Sequence, residues 1–229
     1  MLLSACVTNQ HYAKFIADNS KNNLIPMYGY PEIKKTERQK AADEEFIRAV
    51  VAESGSREKS AKEFAAWGWA ERRKNKIDLA MRRFNQSWLL DSNCYLSYWG
   101  FGVIALIKNN PSEAAVHLEK ALTLITDNKE KSRLLVDTAR AYAWDGHEIK
   151  ANNPVKAEAF LNRATKLISE ALKIDPKNSS AYYYGVQAYR SQGNYNEAWK
   201  MVKVARAVVN YKFDAQLISE LSKEMTEPK

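Results

Sequence analysis

The chain has 229 residues, of which 45% are apolar, and it contains only eight glycines and six prolines. This composition suits a single helical domain that is long enough to bury a shared core. The net charge of +8 is spread over the whole length. That distribution argues against a nucleic-acid-binding arm or a polybasic tail, and it favours acidic partners or an anionic surface only in a general way.

The N-terminus carries a short motif, MLLSAC, at residues 1–6. Its Leu-Ser-Ala-Cys part resembles the lipobox of bacterial lipoproteins, which is cut before the cysteine, so that Cys6 would carry the lipid. No basic region and almost no apolar run precede it. Either residues 1–6 are the remnant of a longer signal peptide, or the match is a coincidence. Val7 stands where Asp would favour inner-membrane retention, so the resemblance implies an outer-membrane anchor that faces the periplasm.

The next two segments predict a tether and a capping helix. Residues 7–30 lack sustained helical periodicity and indicate the tether. Its last part, IPMYGY at residues 25–30, is apolar, and we expect it to dock against the first repeat because it would be a liability in solvent. Residues 31–56 predict an N-terminal capping helix. The residues expected to face inwards are Ile33, Ala41, Phe46, Ala49 and Val50.

Residues 57–212 contain a pattern that recurs at a spacing of 34 residues. In the clearest copy two helical stripes are separated by Asn109-Asn110-Pro111, and a proline fits the first turn of the second helix. The marker positions of this copy are Tyr98, Phe101, Gly102, Ala114, Leu118 and Ala121. The copy that precedes it has Phe64, Trp67, Gly68, Ala80, Phe84 and Ser87. The copy near the C-terminus has Tyr182, Gly185, Tyr189, Ala198, Val202 and Ala205. A fourth, irregular copy has Ala164, Ile168 and Ala171 in its second helix.

This pattern resembles the tetratricopeptide repeat, in which aromatic residues, a glycine and alanines recur on two helices. The resemblance implies an all-α fold: a right-handed superhelix of four antiparallel helix pairs, with capping helices at residues 31–56 and 213–229. The third repeat contains extra residues. We expect its first helix to end near Asp145-Gly146, its second helix to be longer than usual, and residues 146–153 to form a loop.

In the tetratricopeptide fold the first helix of each repeat lines a concave groove. By resemblance, the groove positions of this chain are Trp69, Arg72, Arg73, Trp99, Val103, Leu106, Arg133, Arg140, Trp144, Tyr183, Gln187 and Arg190. Aromatic rings and guanidinium groups, which are enriched in binding hot spots, alternate there; alternatively, the rings pack on neighbouring helices or on the N-terminal segment. Ala65 and Trp69 replace the Lys and Asn of the family's chaperone-tail clamp, which disfavours a cytosolic chaperone partner.

Two segments have two interpretations each. Residues 72–83 contain six basic residues and one acid, which is typical either of a solvated turn or of a contact with phosphate or carboxylate groups. The insertion at residues 146–153 is either a binding loop on one face of the repeats or neutral variation of loop length.

No catalytic motif is recognisable in the sequence. His147-Glu148 lacks the second histidine of a zinc-protease motif, and no phosphate-binding glycine loop or nucleophile elbow occurs. We therefore predict no enzyme activity, no cofactor and no metal site. Cys94 is expected to be a small buried residue of the hydrophobic core.

The predicted function is a non-catalytic protein–protein interaction scaffold. The favoured form is an outer-membrane lipoprotein that faces the periplasm and assists an envelope assembly, such as pilus, secretion or cell-wall machinery. The alternative is a cytosolic interaction module without a lipid anchor. The expected partner is a protein or peptide, with an acidic group favoured by the groove arginines, and not a nucleic acid.

Overall fold

The computed structural model describes residues 18–20 and 22–228. In this part of the chain the regular elements are a short 3₁₀ helix, Pro26–Gly29, and ten α-helices, with no strand. The α-helices are α1 Glu37–Ser54, α2 Arg57–Arg73, α3 Ile77–Leu90, α4 Tyr95–Ile107, α5 Pro111–Leu124, α6 Asn128–Ile149, α7 Pro154–Ile174, α8 Ser179–Gln192, α9 Tyr195–Val209 and α10 Ala215–Glu224. This confirms the predicted all-α fold. None of these helices is both long enough and apolar enough to cross a membrane.

Helices α2 to α9 follow one another along the chain as the four predicted pairs, α2–α3, α4–α5, α6–α7 and α8–α9, with a short connection inside each pair. The two Asn-Pro sequences each begin the second helix of a pair. Asn110 accepts a hydrogen bond from the Glu113 N–H at 3.2 Å, and Asn153 accepts one from the Lys156 N–H at 3.1 Å. The proline that follows each cap occupies the first helical position, where its missing N–H costs nothing.

The chain divides into two compact units at residue 104, within α4. In the first unit, Phe46 and Val50 of α1 pack with Phe64 of α2 and Leu90 of α3, and the free Cys94 lies buried in the same core. Hydrogen bonds of serine side chains connect α2, α3 and α4. Ser87 of α3 donates to the carbonyl of Ala61 at 2.7 Å and accepts from Ser97 at 2.7 Å.

A close helix approach in the first unit depends on two glycines. The ring of Phe84 lies over Gly68 and Gly100, where an added Cβ would come within 2.7 Å and 2.5 Å of ring carbons. Any larger residue would push the ring out of place.

The segment before α1 is docked on the first unit. Asn85 of α3 is fully buried, and its side-chain amide donates to the backbone carbonyls of Asn23 at 3.0 Å and Ile25 at 2.9 Å. The ring of Tyr28 is 1% exposed, and the Lys35 ammonium lies 3.9 Å from its centroid. Residues 25–30 therefore contact the first repeat, as their apolar character predicts.

Helix α1 begins later than the sequence pattern suggests. Thr36 forms a capping box with Gln39, so that each side chain satisfies a backbone N–H at the start of the helix. Ile33 and Ala41, which we expected to face inwards, are exposed. Phe46 and Val50, which were also expected to face inwards, are buried.

In the second unit α6 is longer than expected and extends through Gly146 to Ile149. The prediction that it ends near Asp145-Gly146 is wrong, because Gly146 serves a close helix crossing and does not stop the helix. A Cβ at this glycine would lie 3.0 Å from the Leu161 side chain and 3.1 Å from the Ala157 carbonyl oxygen. Only residues 150–153 remain outside the helices, and α7 has 21 residues.

The C-terminal helix α10 covers the end of the last repeat. Its Leu217 and Leu221 are buried against a cluster that includes Val186, Trp199 and Val202. The Trp199 indole Nε1 also donates to the carbonyl of Met225 at 2.8 Å. These contacts bury an apolar face that another repeat would otherwise have to cover.

Candidate peptide-binding site

A cavity of about 330 Å³ lies between α6 and α8 in the second unit. These are the first helices of consecutive repeats, and residues four or seven positions apart on each helix face the same space. The lining residues are Arg140, Ala143, Trp144 and His147 from α6, and Tyr183, Tyr184, Gln187, Arg190 and Ser191 from α8. The cavity is therefore both aromatic and cationic.

Arg140 lies against an aromatic wall. Its guanidinium carbon is 5.5 Å from the centroid of the Tyr184 ring, which is within the range of a cation–π contact. The Tyr183 and Tyr184 rings meet edge to face, 5.2 Å apart. Burial raises the pKa of the Tyr184 hydroxyl, while the charge of Arg140 acts in the opposite direction. The hydroxyl thus stays protonated at neutral pH and can donate a hydrogen bond.

The cations of the cavity differ in their partners. Arg190 forms an ion pair with Glu220 of α10. Arg140 forms no ion pair with any residue that the structure describes. The Trp144 indole donates to Glu148 one turn further along α6 at 2.7 Å, which fixes the orientation of its ring. Arg140 is thus the cation that an acidic ligand would meet without first displacing a carboxylate.

Five of the twelve predicted groove residues meet in this cavity: Arg140, Trp144, Tyr183, Gln187 and Arg190. Arg133 lies on the same helix but does not line the cavity; it is exposed and pairs with Glu130 at 3.2 Å. Leu106 is buried, with 1% of its surface exposed.

The predicted groove residues of the first unit lie in a different environment. Trp99 and Val103 are only 4% and 7% exposed, so they pack inside this chain and do not form an open lining. The half-buried Trp69 meets Trp99 edge to face at 5.3 Å. The Arg72 guanidinium lies 5.4 Å from the Trp69 ring, and Arg73 is exposed.

Four lining residues were not among the predicted positions: Ala143, His147, Tyr184 and Ser191. His147 comes seven residues after Arg140, two turns along the same face of α6, so helical spacing alone could have identified it. Tyr184 directly follows Tyr183, and no sequence pattern distinguishes which of the two rings would contact Arg140.

The basic residues at 72–83 make several contacts within their own repeat. Lys74 pairs with Glu71 at 2.9 Å. The guanidinium of Arg83 donates to Gln86 at 3.0 Å and lies 5.5 Å from the Trp67 ring. These contacts lie within the repeat, and both interpretations of the segment, a solvated turn or a contact with phosphate or carboxylate groups, stay predictions.

Two further predictions concern lipidation and metal binding. Cys6 lies outside the described residues. Within the described ranges, no group of three or more His, Cys, Asp or Glu side chains is placed to hold a metal ion.

Consecutive helix pairs, with a cavity between the first helices α6 and α8 of two of them, define a helical-repeat architecture. The family model of the tetratricopeptide repeat matches residues 167–200, from the end of α7 into α9. The structure resembles that of MamA with a TM-score of 0.52 at 16% identity, over 86% of this chain and 91% of that one. It also matches PilF of Pseudomonas aeruginosa with a TM-score of 0.49 at 15% identity, over 94% and 86% of the two chains. A comparison with curated proteins finds no significant match. The tetratricopeptide-repeat match therefore applies to residues 167–200, and the likeness to MamA extends the similarity of fold to most of the chain.

Proposed function

We propose that this protein is a non-catalytic scaffold that holds an extended segment of a partner protein in the cavity between α6 and α8. The observation that carries the proposal is the position of Arg140. It lies beside the Tyr184 ring and shares the cavity lining with Trp144, and no described carboxylate pairs with it. A carboxylate of the partner would supply the opposite charge, while the partner's apolar side chains would cover the rings.

The remaining lining residues suit an extended peptide. An arginine can make two parallel hydrogen bonds to one carboxylate. The amide of Gln187 offers both a donor and an acceptor to a peptide backbone. Tyrosine and tryptophan give large contact areas while losing little conformational freedom, which is why they dominate many binding surfaces.

The test begins with peptides selected by phage display on the full chain, with affinities then measured by fluorescence anisotropy. We expect Trp144→Ala and Arg140→Ala each to weaken binding about 30-fold, the equivalent of about 2 kcal/mol. The matched control is Arg133→Ala, which removes the same charge from the same helix but outside the cavity. Its effect should stay below about twofold, because an exposed cation at a distance is screened by salt. Equal losses for the Arg133 and Arg140 variants would mean that the peptide responds to overall charge, and the proposed site would be wrong.

We further propose that the scaffold is anchored through Cys6 to the outer membrane, faces the periplasm and assists an envelope assembly of the pilus, secretion or cell-wall kind. The resemblance of residues 1–6 to a lipobox supports this location. Cys6→Ser in the full native gene should release the protein from the membrane fraction, because the several acyl chains of a lipoprotein anchor it stably. If the variant fractionates like the parent, the cytosolic module becomes the better account.

A further inference from the structure

A second cavity, of about 450 Å³, adjoins the aromatic one at the ends of α6 and α8. It is lined by His147, Lys150 and Ala151 on one side and by Arg190 and Ser191 on the other. His147, Arg190 and Ser191 line both cavities. A ligand in the aromatic cavity can therefore continue into the second one.

The lining of this second cavity is cationic and contains no carboxylate. The Lys150 ammonium is held in place because it donates to the backbone carbonyl of Ser191 at 2.6 Å. An ammonium group has three donors, so its other N–H groups remain for a ligand. Arg190 is already paired with Glu220, which reaches it from α10 and is not itself part of the lining.

We infer that the second cavity is an anion subsite that serves the peptide site. The inference rests on the proposed function. It specifies the partner as an acidic peptide that has an apolar residue to contact the aromatic rings of the first cavity and, a few residues away, a carboxylate or phosphate group. The apolar side chain lies against Trp144 and Tyr183, and the anion lies between Lys150 and Arg190. There it competes with Glu220 for the Arg190 guanidinium. Charge complementarity selects the ligand, because an anionic group meets the Lys150 ammonium, which Ser191 holds in place, and can replace Glu220 at Arg190.

The experiment uses the full chain and a set of fluorescein-labelled peptides. Each peptide carries a fixed leucine and, one to four residues further on, Asp, Glu, phosphoserine or the neutral Asn or Gln. We expect Asp and Glu peptides to bind about tenfold more tightly than their Asn and Gln counterparts, as hydrogen bonds to charged groups do. Lys150→Gln should reduce this ratio to about one. The control is Lys166→Gln on the exposed part of α7, outside both cavities, which should keep the full preference.

The outcomes separate the two proposals. If the acidic preference survives Lys150→Gln, the anion subsite is wrong. The aromatic cavity would still be supported if Trp144→Ala weakened binding as expected. If no peptide of the set or of the phage selection binds, both proposals fail. If phosphoserine peptides exceed Asp and Glu peptides and lose that advantage in the Lys150 variant, the subsite stands and phosphate is the anion it takes.

Discussion

Trp99 and Trp144 were both predicted to line the groove, but the structure gives them opposite roles. Trp99 is 4% exposed and meets Trp69 edge to face at 5.3 Å, whereas Trp144 is half-buried in the wall of a cavity. Truncating a buried tryptophan to alanine removes its transfer free energy and leaves a cavity, at a cost of about 3–5 kcal/mol. In a chain of this length, each kcal/mol lost from the free energy of unfolding lowers the melting temperature by about 2–4 °C. We therefore expect Trp99→Ala to lower the melting temperature by roughly 6–20 °C.

The assay is thermal unfolding of the full chain followed by far-ultraviolet circular dichroism, because helix content does not depend on the fluorescence of the residue removed. Trp144→Ala is the matched control and should lower the midpoint by no more than about 4 °C, since a half-exposed ring supports little core. The reasoning would be refuted if the two variants melted at the same temperature, or if Trp99→Ala melted like the parent.

Three further predictions concern packing and surface contacts. Gly100→Ala would force a Cβ to within 2.5 Å of the Phe84 ring. Urea unfolding should therefore show a fall in the free energy of unfolding of about 1–3 kcal/mol. An unchanged midpoint would mean that the ring is free to move. Asn85→Ala leaves two backbone carbonyls without their donor, and each buried unsatisfied group lowers the free energy of unfolding by about 1–3 kcal/mol. Limited proteolysis should then cut residues 18–30 faster than in the parent, and an equal rate would count against this docking. Arg163→Lys loses the forked contact with Glu119. Because both side chains are about one-third exposed, urea unfolding should show a fall in the free energy of unfolding of less than about 1 kcal/mol. A larger fall would show that the pair is more than a surface contact.

The repeat architecture could be predicted because its signals are local. The alanine marker of each repeat is fully buried: Ala80, Ala114, Ala164 and Ala198 each have 0% exposure. Such positions sit where two helices cross closely, and only a small residue fits there. The Asn-Pro sequences likewise begin helices for reasons contained within a few residues, the asparagine cap and the fixed φ of proline.

Other features depend on contacts that sequence spacing does not reveal. The burial of Trp99 includes a contact with Trp69 of the preceding repeat, so the same residue type at a groove position can be either core or surface. Gly146 resembles a helix stop in the sequence but serves a close contact with Leu161 in the next helix.

The site itself was only partly predictable. Five lining residues follow from the family's groove positions, since those positions recur at helical spacing. The second cavity could not be predicted, because it is shaped by Lys150 reaching Ser191 and by Arg190 reaching Glu220, pairs that are 41 and 30 residues apart.

The most direct measurement of peptide binding in the cavity is a nitrogen-15 NMR titration of the indole N–H signals. The chain has six tryptophans, and the Trp144 signal can be assigned from its loss in Trp144→Phe. On addition of the tightest selected peptide, the Trp144 signal should shift progressively to saturation at the affinity measured by anisotropy. The signal of Trp199, whose indole is bonded to the Met225 carbonyl under α10, should stay in place. A peptide that binds at the same affinity without moving the Trp144 signal would contradict the proposed site.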